Sequence, residues 1–282
     1  MRLAIFADVH GKLLLPFKLV DRYQQQTGQT IDFILQCGDM GAYPDIHRLD
    51  KATLKHARQN RDELGFHDDF MQENKDIRRL LDRLNIDMIC IRGNHEDHAF
   101  LDQLEQANTT LPRFPIDVYK RIFVCRSGVK QELRKDREVL YLAGIGRIGD
   151  AKGRTDPRFI QEYEQREVKK LLKSTGYIDV LITHDKDDSS QRGYGMKAIR
   201  DVLDNVPVSY HFYGHTGEPF RQETAINGIT QSVKVSELEF GPSGILPEGC
   251  MLVLDHRPDG SSALEAVSQR FTNQLTQYNW KD

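Results

Sequence analysis

Seven side chains that offer oxygen or imidazole donors stand at the ends of short apolar runs in this 282-residue chain. Asp8 and His10 follow "RLAIFA", Asp39 follows "IDFILQCG", Asn94 and His95 follow "IDMICIRG", His184 follows "IDVLIT", and His215 follows "SYHFYG". Carboxylate, amide oxygen and imidazole together suit hard-to-borderline divalent ions such as manganese or iron, whereas a structural zinc site draws on cysteine. The donors are enough for two ions. A carboxylate has two oxygens, so one Asp can bridge ions about 3.5–4 Å apart. Such a pair lowers the pKa of a shared water, holds a phosphate and neutralises charge in an in-line displacement.

The elements that position these groups read as α/β. Apolar positions recur at helical spacing over residues 76–84 and 160–173, and residues 195–204 form a third expected helix. Short Val/Ile/Leu-rich strands alternating with helices imply βαβ units and a largely parallel sheet. In such sheets ligands collect beyond the carboxyl ends of the strands, where the seven residues stand. Asp8 and His10 are two apart, so an extended chain points both the same way. Gly11, Gly38, Gly93 and Gly214 adjoin the clusters and permit tight turns and close backbone approach.

The later chain reads differently. "AINGITQSV" carries an Asn-Gly hairpin signal and "MLVLDHRPDGSSALEAV" turns at Pro-Asp-Gly, giving a β-rich part over 225–270. One domain with two sheets, residues 1–282, is expected. Residues 42–75 exceed what one βαβ crossover needs; they are charged, and are expected to form either a solvated helical insertion or a cap over the site.

Composition narrows the class. A net charge of -3 disfavours a broad nucleic-acid-binding face, though not a local basic groove. The four cysteines make no CxxC pair, and Cys37 and Cys90 lie in apolar runs as expected for buried thiols. The N-terminus turns polar too quickly for a signal peptide, and no run reaches the roughly 20 apolar residues of a membrane span. A reducing cytoplasm is expected.

The ordered set Asp8-Val9-His10-Gly11, Gly38-Asp39, Gly93-Asn94-His95-Glu96, His184 and Gly214-His215 resembles the calcineurin-like metallophosphoesterase superfamily. Each motif alone is weak; all in order, each closing an apolar run, are specific. The resemblance implies a four-layer α/β/β/α sandwich with two mixed β-sheets, the late hairpins belonging to the second sheet. It implies a first metal held by Asp8, His10 and Asp39, and a second held by Asp39, Asn94, His184 and His215. Asp39 is then the bridge. His95 is not a ligand; it contacts the phosphate and protonates the leaving oxygen. The implied activity is hydrolysis of phosphate mono- or diesters with two divalent ions, manganese first, with iron, zinc or magnesium as alternatives. The substrate class is open between a nucleotide, a phosphoprotein and a nucleic-acid end. A scaffold that kept the fold and lost the chemistry is the competing reading, and six of the family's seven ligands speak against it.

One position departs from the pattern. Many members end in G-H-x-H, whose second His binds the first metal, but this chain reads Gly214-His215-Thr216-Gly217. The phosphoprotein-phosphatase branch also lacks that His, and "IRGNHE" is similar to its third motif. "GDMGAYPD", however, lacks that branch's Asp-Arg-Gly. The first site is therefore expected to hold its ion more weakly.

The remaining polar residues carry blander expectations. His47, His56, His67, His98, His211 and His256 are expected at the surface or in structural hydrogen bonds. "GIGRIG", Gly144 to Gly149, matches G-x-G-x-x-G, but loop-like sequence follows where a dinucleotide site needs a helix. Arg147 and Arg154 in and beyond that loop could reach a substrate phosphate. Glu96 or Asp97 could orient the His95 imidazole.

Overall fold

The first run explains the sheet that carries it. β1 (Arg2–Phe6) is apolar on both sides because it is buried on both: Leu3 and Ile5 face one core, Ala4 and Phe6 another. The computed structural model describes residues 1–150, 152–174, 176–188 and 193–282. In chain order β1 is followed by α1 (Leu14–Thr27), β2 (Phe33–Gln36), α2 (Lys51–Ala57), α3 (Lys75–Leu84) and β3 (Asp87–Cys90). Then come α4 (His98–Ala107), β4 (Arg113–Pro115), β5 (Ile122–Cys125), β6 (Gln131–Lys135), β7 (Glu138–Ile145) and α5 (Glu162–Leu171). The chain closes with β8 (Ile178–Thr183), α6 (Lys197–Asn205), β9 (Val208–Tyr213), β10 (Arg221–Thr224), β11 (Gln231–Lys234), β12 (Leu252–His256), β13 (Ser262–Ala266) and α7 (Gln269–Thr272).

Two mixed sheets result, in the orders β13-β12-β1-β2-β3-β5-β4 and β10-β11-β9-β8-β7-β6. Their inner faces share one core, with Ile5, Leu35 and Ile89 of the first against Leu142, Ile182 and Phe212 of the second. Outside the first sheet, Phe6, Ile34 and Met88 pack against Leu15 and Val20 of α1, Ile77 and Leu81 of α3 and Leu101 of α4. Outside the second, Ile145 and Leu181 pack against Val168 of α5 and Ile199 and Val202 of α6. The layers are therefore α/β/β/α. Helix ends follow local chemistry: the Asn74 side chain caps α3, Gln161 and Glu164 form a capping box on α5, and Gly28 ends α1 with φ 69°.

Parallel register aligns the carboxyl ends that matter. Phe6 pairs with Gln36 and Gln36 with Cys90 in one sheet, and Thr183 pairs with Tyr213 in the other. The late hairpins divide between the sheets. β10 and β11 extend the second, beside β9, but β12 and β13 add to the first, antiparallel to β1. This corrects the assignment of both to the second sheet. A hairpin signal fixes which strands pair with each other, not which open edge receives them.

Residues 42–75 hold α2, two short 3-10 turns at Ile46–Arg48 and Arg61–Leu64, and a π-helical turn at Phe66–Phe70. Phe66 and Phe70 are buried in the outer core of the first sheet, so much of this segment is anchored rather than solvated. Among the described residues, no helix is long and apolar enough to cross a membrane.

Candidate metal centre

Beyond β1 and β2 the two chains stay bonded through their turns: Asp8 N–H donates to Gly38 O (3.1 Å), His10 N–H to Asp39 O (3.0 Å) and Gly11 N–H to Met40 O (2.8 Å). The turns are not extended. Asp8, His10, Asp39 and His215 have φ of 49°, 41°, 52° and 66°. A left-handed conformation costs a non-glycine residue roughly 1–3 kcal/mol and persists only where the surroundings impose it, which is typical of functional sites. The alternation argument for Asp8 and His10 therefore does not apply, although the two side chains do converge. Gln36 clamps the second turn, accepting from Gly38 N–H at 2.9 Å and donating back to Gly38 O. Gly93 is required by crowding: a Cβ there would lie 2.1 Å from both the backbone nitrogen and Oδ1 of Asp39.

The convergence forms two overlapping groups. In each of Asp8–His10–Asp39 and Asp39–His184–His215, one donor atom per residue lies within 4.8 Å of the others. Asp39 is common to both, and its Oδ1 also accepts Asn94 N–H (2.7 Å) and His95 N–H (2.8 Å). His184 Nε2 lies 3.0 Å from Asn94 Oδ1 and 3.3 Å from Asp39 Oδ1, while its Nδ1 is 2.9 Å from Cys37 O. Bonding of Nδ1–H to that carbonyl leaves Nε2 aimed at two oxygens, the tautomer a metal ligand needs. All six candidate ligands are thus brought together.

Electrostatics fit a cationic centre. Burial pushes the Asp8 carboxyl up to about 7, so it stays ionised only beside positive charge. Burial also opposes charge on Asp39, but His184, with His10 and His95, holds its carboxyl well below the usual range. Burial disfavours an imidazolium at His184, yet Asp39 overrides it and raises that ring to about 9. Burial lowers His10 to about 4 and His215 to about 3, leaving both neutral and able to coordinate. Buried carboxylates, imidazoles and an amide oxygen around one bridge form a donor set that suits divalent ions, whose binding at His184 would displace the proton that Asp39 favours there.

His95 stands apart from the ligand groups. Its Nδ1 is 2.7 Å from Oδ2 of Asp50, the residue before α2. Tyr43 Oη donates to the same oxygen at 2.5 Å, and Oδ1 caps α2 through Ala52 and Thr53 N–H. Burial works against charge on His95, but Asp50 and Asp39 raise its pKa to about 9. The expected partners of His95 are engaged elsewhere. Glu96 accepts Met40, Ala42 and Gly93 N–H, and Asp97 caps α4 at Phe100 N–H and pairs with Arg48 at 2.9 Å. Nothing in the spacing of Asp50 and His95 could reveal their contact.

The two arginines expected at a substrate phosphate are also committed. Arg147 is fully buried, with Asp102 at 2.7 Å and Glu164 at 2.8 Å. Arg154 pairs with Asp150 and lies over the Phe159 ring at 4.1 Å. The G-x-G-x-x-G stretch ends β7 and no helix opens there; Asp150 and 152–157 are irregular, and Ala151 lies outside the described residues. His211 is buried and bonded to Thr183 and Ser232, and His256 to Ser262. His98 departs from its expected role: it is buried, and neither ring nitrogen has a hydrogen-bond partner.

Beside His95 a cleft of roughly 260 Å³ opens, lined by His10, Ala52, Thr53, His56, Glu63, His95, Glu237 and Glu239. Burial raises Glu63 to about 7. A larger groove, between α1 and α3, shares no residue with the candidate ligands.

A family model described as calcineurin-like phosphoesterase matches residues 1–219. No curated protein matches the chain. Among solved structures, TT1561 of Thermus thermophilus is similar over 95% of this chain and 99% of its own, at 13% identity and a TM-score of 0.54. A structure described as a novel phosphatase from Mycoplasma pneumoniae is similar over 99% of this chain and 98% of its own, at 9% identity and a TM-score of 0.50. At these identities the likeness is one of fold.

Proposed function

The chain belongs to the calcineurin-like phosphoesterase family and is a metal-dependent phosphoesterase, and we propose that it hydrolyses phosphate esters with two divalent ions and His95 as general acid. The observation that carries this reading is the pair of donor groups sharing Asp39, next to an imidazole held by Asp50. Asp8, His10 and Asp39 would hold the first ion, and Asp39, Asn94, His184 and His215 the second. Bound ions supply Lewis acidity toward the phosphate oxygens and the attacking water. Manganese, with its preference for oxygen and imidazole donors, is the favoured ion.

The rest is done by the chain. Asp50 carries a carboxylate, so His95 Nδ1–H donates to it and Nε2 remains for proton transfer. With a pKa of about 9 the ring is protonated at neutral pH and can give its proton to the leaving oxygen. Backbone N–H groups of Asn94 and His95 fix the Asp39 oxygen about which the centre is built.

The cleft narrows the substrate. Among the described residues its lining offers neither lysine nor arginine to a run of phosphates. That favours a small phosphomonoester over polyphosphates and nucleic-acid chains. Four buried free thiols support a reducing, cytoplasmic setting.

The test is a screen of metal-reconstituted protein against a neutral monoester, an amine-bearing monoester, a diester, a dinucleoside polyphosphate and a short oligonucleotide. Turnover should rank the monoesters first. Protein that carries two ions and hydrolyses none of them would overturn the reading.

A further inference from the structure

Gly217 leaves the first ion with three protein ligands in the family pattern, and the structure shows what stands in the space of the absent histidine. A Cβ built on Gly217 would lie 3.8 Å from Oε1 of Glu237, and among the described residues no other heavy atom outside the adjoining ones comes within 4 Å of it. A histidine side chain at 217 would extend into the volume that this carboxylate reaches.

Glu237 is fixed there by backbone. Val235 N–H donates to Tyr213 O (2.9 Å) at the end of β9, and Leu238 N–H donates to Ala7 O (3.0 Å) just before Asp8. Ala7 and Glu237 form a parallel bridge between the segments that follow β1 and β11, one from each sheet. The Glu237 carboxylate has no hydrogen-bond or ion-pair partner among the described residues, whereas Glu239 is paired with Lys12 at 2.7 Å. It lines the same cleft as His10 and His95, but its oxygens lie outside the group in which donor atoms of Asp8, His10 and Asp39 come within 4.8 Å of one another, so it would reach a bound ion by turning its side chain. Its charge acts against that of Asp8, and a cation between them would turn that repulsion into attraction.

We propose that Glu237 is the fourth protein ligand of the first ion, supplied by the strand-end segment after β11 in place of the histidine that Gly217 lacks. The assignment rests on the two-ion reading above. It makes that site richer in carboxylate than a site closed by a second imidazole, which favours manganese or magnesium over zinc there.

The experiment is calorimetric titration of metal-stripped protein with Mn²⁺, together with the EPR spectrum at two equivalents. Wild type should bind two ions and give the spectrum of an exchange-coupled pair. Loss of a residue that merely orients a ligand costs about 10–100-fold in metal affinity, so Glu237→Gln and Glu237→Ala should weaken one of the two sites by at least about 10-fold. The coupled spectrum should then give way to that of isolated Mn²⁺. The alanine variant removes the donor altogether, in case the glutamine amide oxygen coordinates. Glu265→Gln makes the same charge change on β13, outside the cleft, and should leave both affinities unchanged. Unchanged affinities in both Glu237 variants, an equal fall at both sites, or an equal effect of Glu265→Gln overturns the assignment. Wild type that binds fewer than two ions defeats the two-ion reading itself, and this assignment with it.

Discussion

Oδ2 of Asp50 lies 2.7 Å from Nδ1 of His95, and the two residues stand on separate segments of the chain. His95 rides on the turn after β3, in the seven-stranded sheet. Asp50 precedes α2, inside the extra segment 42–75. The segment therefore places a carboxylate against the His95 imidazole, where sequence left a solvated helix and a cap as open alternatives.

Asp50→Asn is expected to retain both ions while turnover of an alkyl phosphate falls by roughly 10²-fold, the lower end of general-acid contributions. His95 has a folded pKa of about 9, above the ordinary imidazole value of 6.5. The wild-type rate should thus fall as pH rises through about 9, and the variant should lose activity at lower pH. The stabilisation from the pair is fully present between about pH 4 and 6.5; it is lost as pH rises through about 9, where His95 deprotonates, and again in strong acid, where Asp50 protonates. Melting curves of wild type and variant should therefore differ most near pH 5–6 and converge in alkali; a gap independent of pH would sink the pairing argument.

His95→Ala or His95→Asn should leave the ions bound and lower turnover by about 10²–10⁴-fold. The deficit should shrink on an activated aryl phosphate, whose leaving group needs no proton. Equal deficits on aryl and alkyl esters would leave His95 only a phosphate-positioning role.

Asp39→Asn should empty both sites and abolish hydrolysis. The variant is informative because its Oδ1 can still accept the Asn94 and His95 N–H bonds, so the turn need not collapse. Elemental analysis decides: two ions at normal occupancy would refute a bridging role.

Adding Mn²⁺ to metal-stripped protein should raise its melting temperature. At 100 times Kd one ion contributes about 2.7 kcal/mol, or roughly 5–10 °C for a chain of this size. A melting temperature indifferent to Mn²⁺ up to millimolar concentration would show that the donors do not form a site.

Gly93→Ala should destabilise the fold by about 1–3 kcal/mol, the usual cost of overpacking, and should reduce metal binding with it. Its Cβ would meet Asp39 backbone, which cannot step aside as a flexible side chain can. A stable variant with two bound ions would show that the turn after β3 is looser than it looks.

The sequence made the candidate ligands legible because each closes an apolar strand, and parallel register then delivers strand ends to one place. The same logic gave the α/β class and both hairpins. It could not give the edge that β12 joins, since any exposed strand of either sheet can accept a hairpin. Nor could it give Asp50 as partner of His95, or Glu237 in the space beside Gly217. Both are contacts between loops, and neither periodicity nor spacing encodes which loops meet. The left-handed φ of Asp8, His10, Asp39 and His215 was equally hidden, because those residue types signal no such conformation as strongly as glycine does.

Asp8, Asp39 and Asn94 belong to one sheet, His184 and His215 to the other, and the ligand groups straddle the seam. Contacts across it join residues far apart in sequence: His184 reaches Cys37 over 147 positions, and His215 reaches Asp8 over 207. Such pairings form late, after most loop-closure entropy has been overcome. No N-terminal fragment that stops short of β9 can assemble the second ligand group, however well its own sheet forms. Hydrolysis would therefore report completed docking of the two halves, and a refolding time course followed by activity should lag one followed by backbone signal.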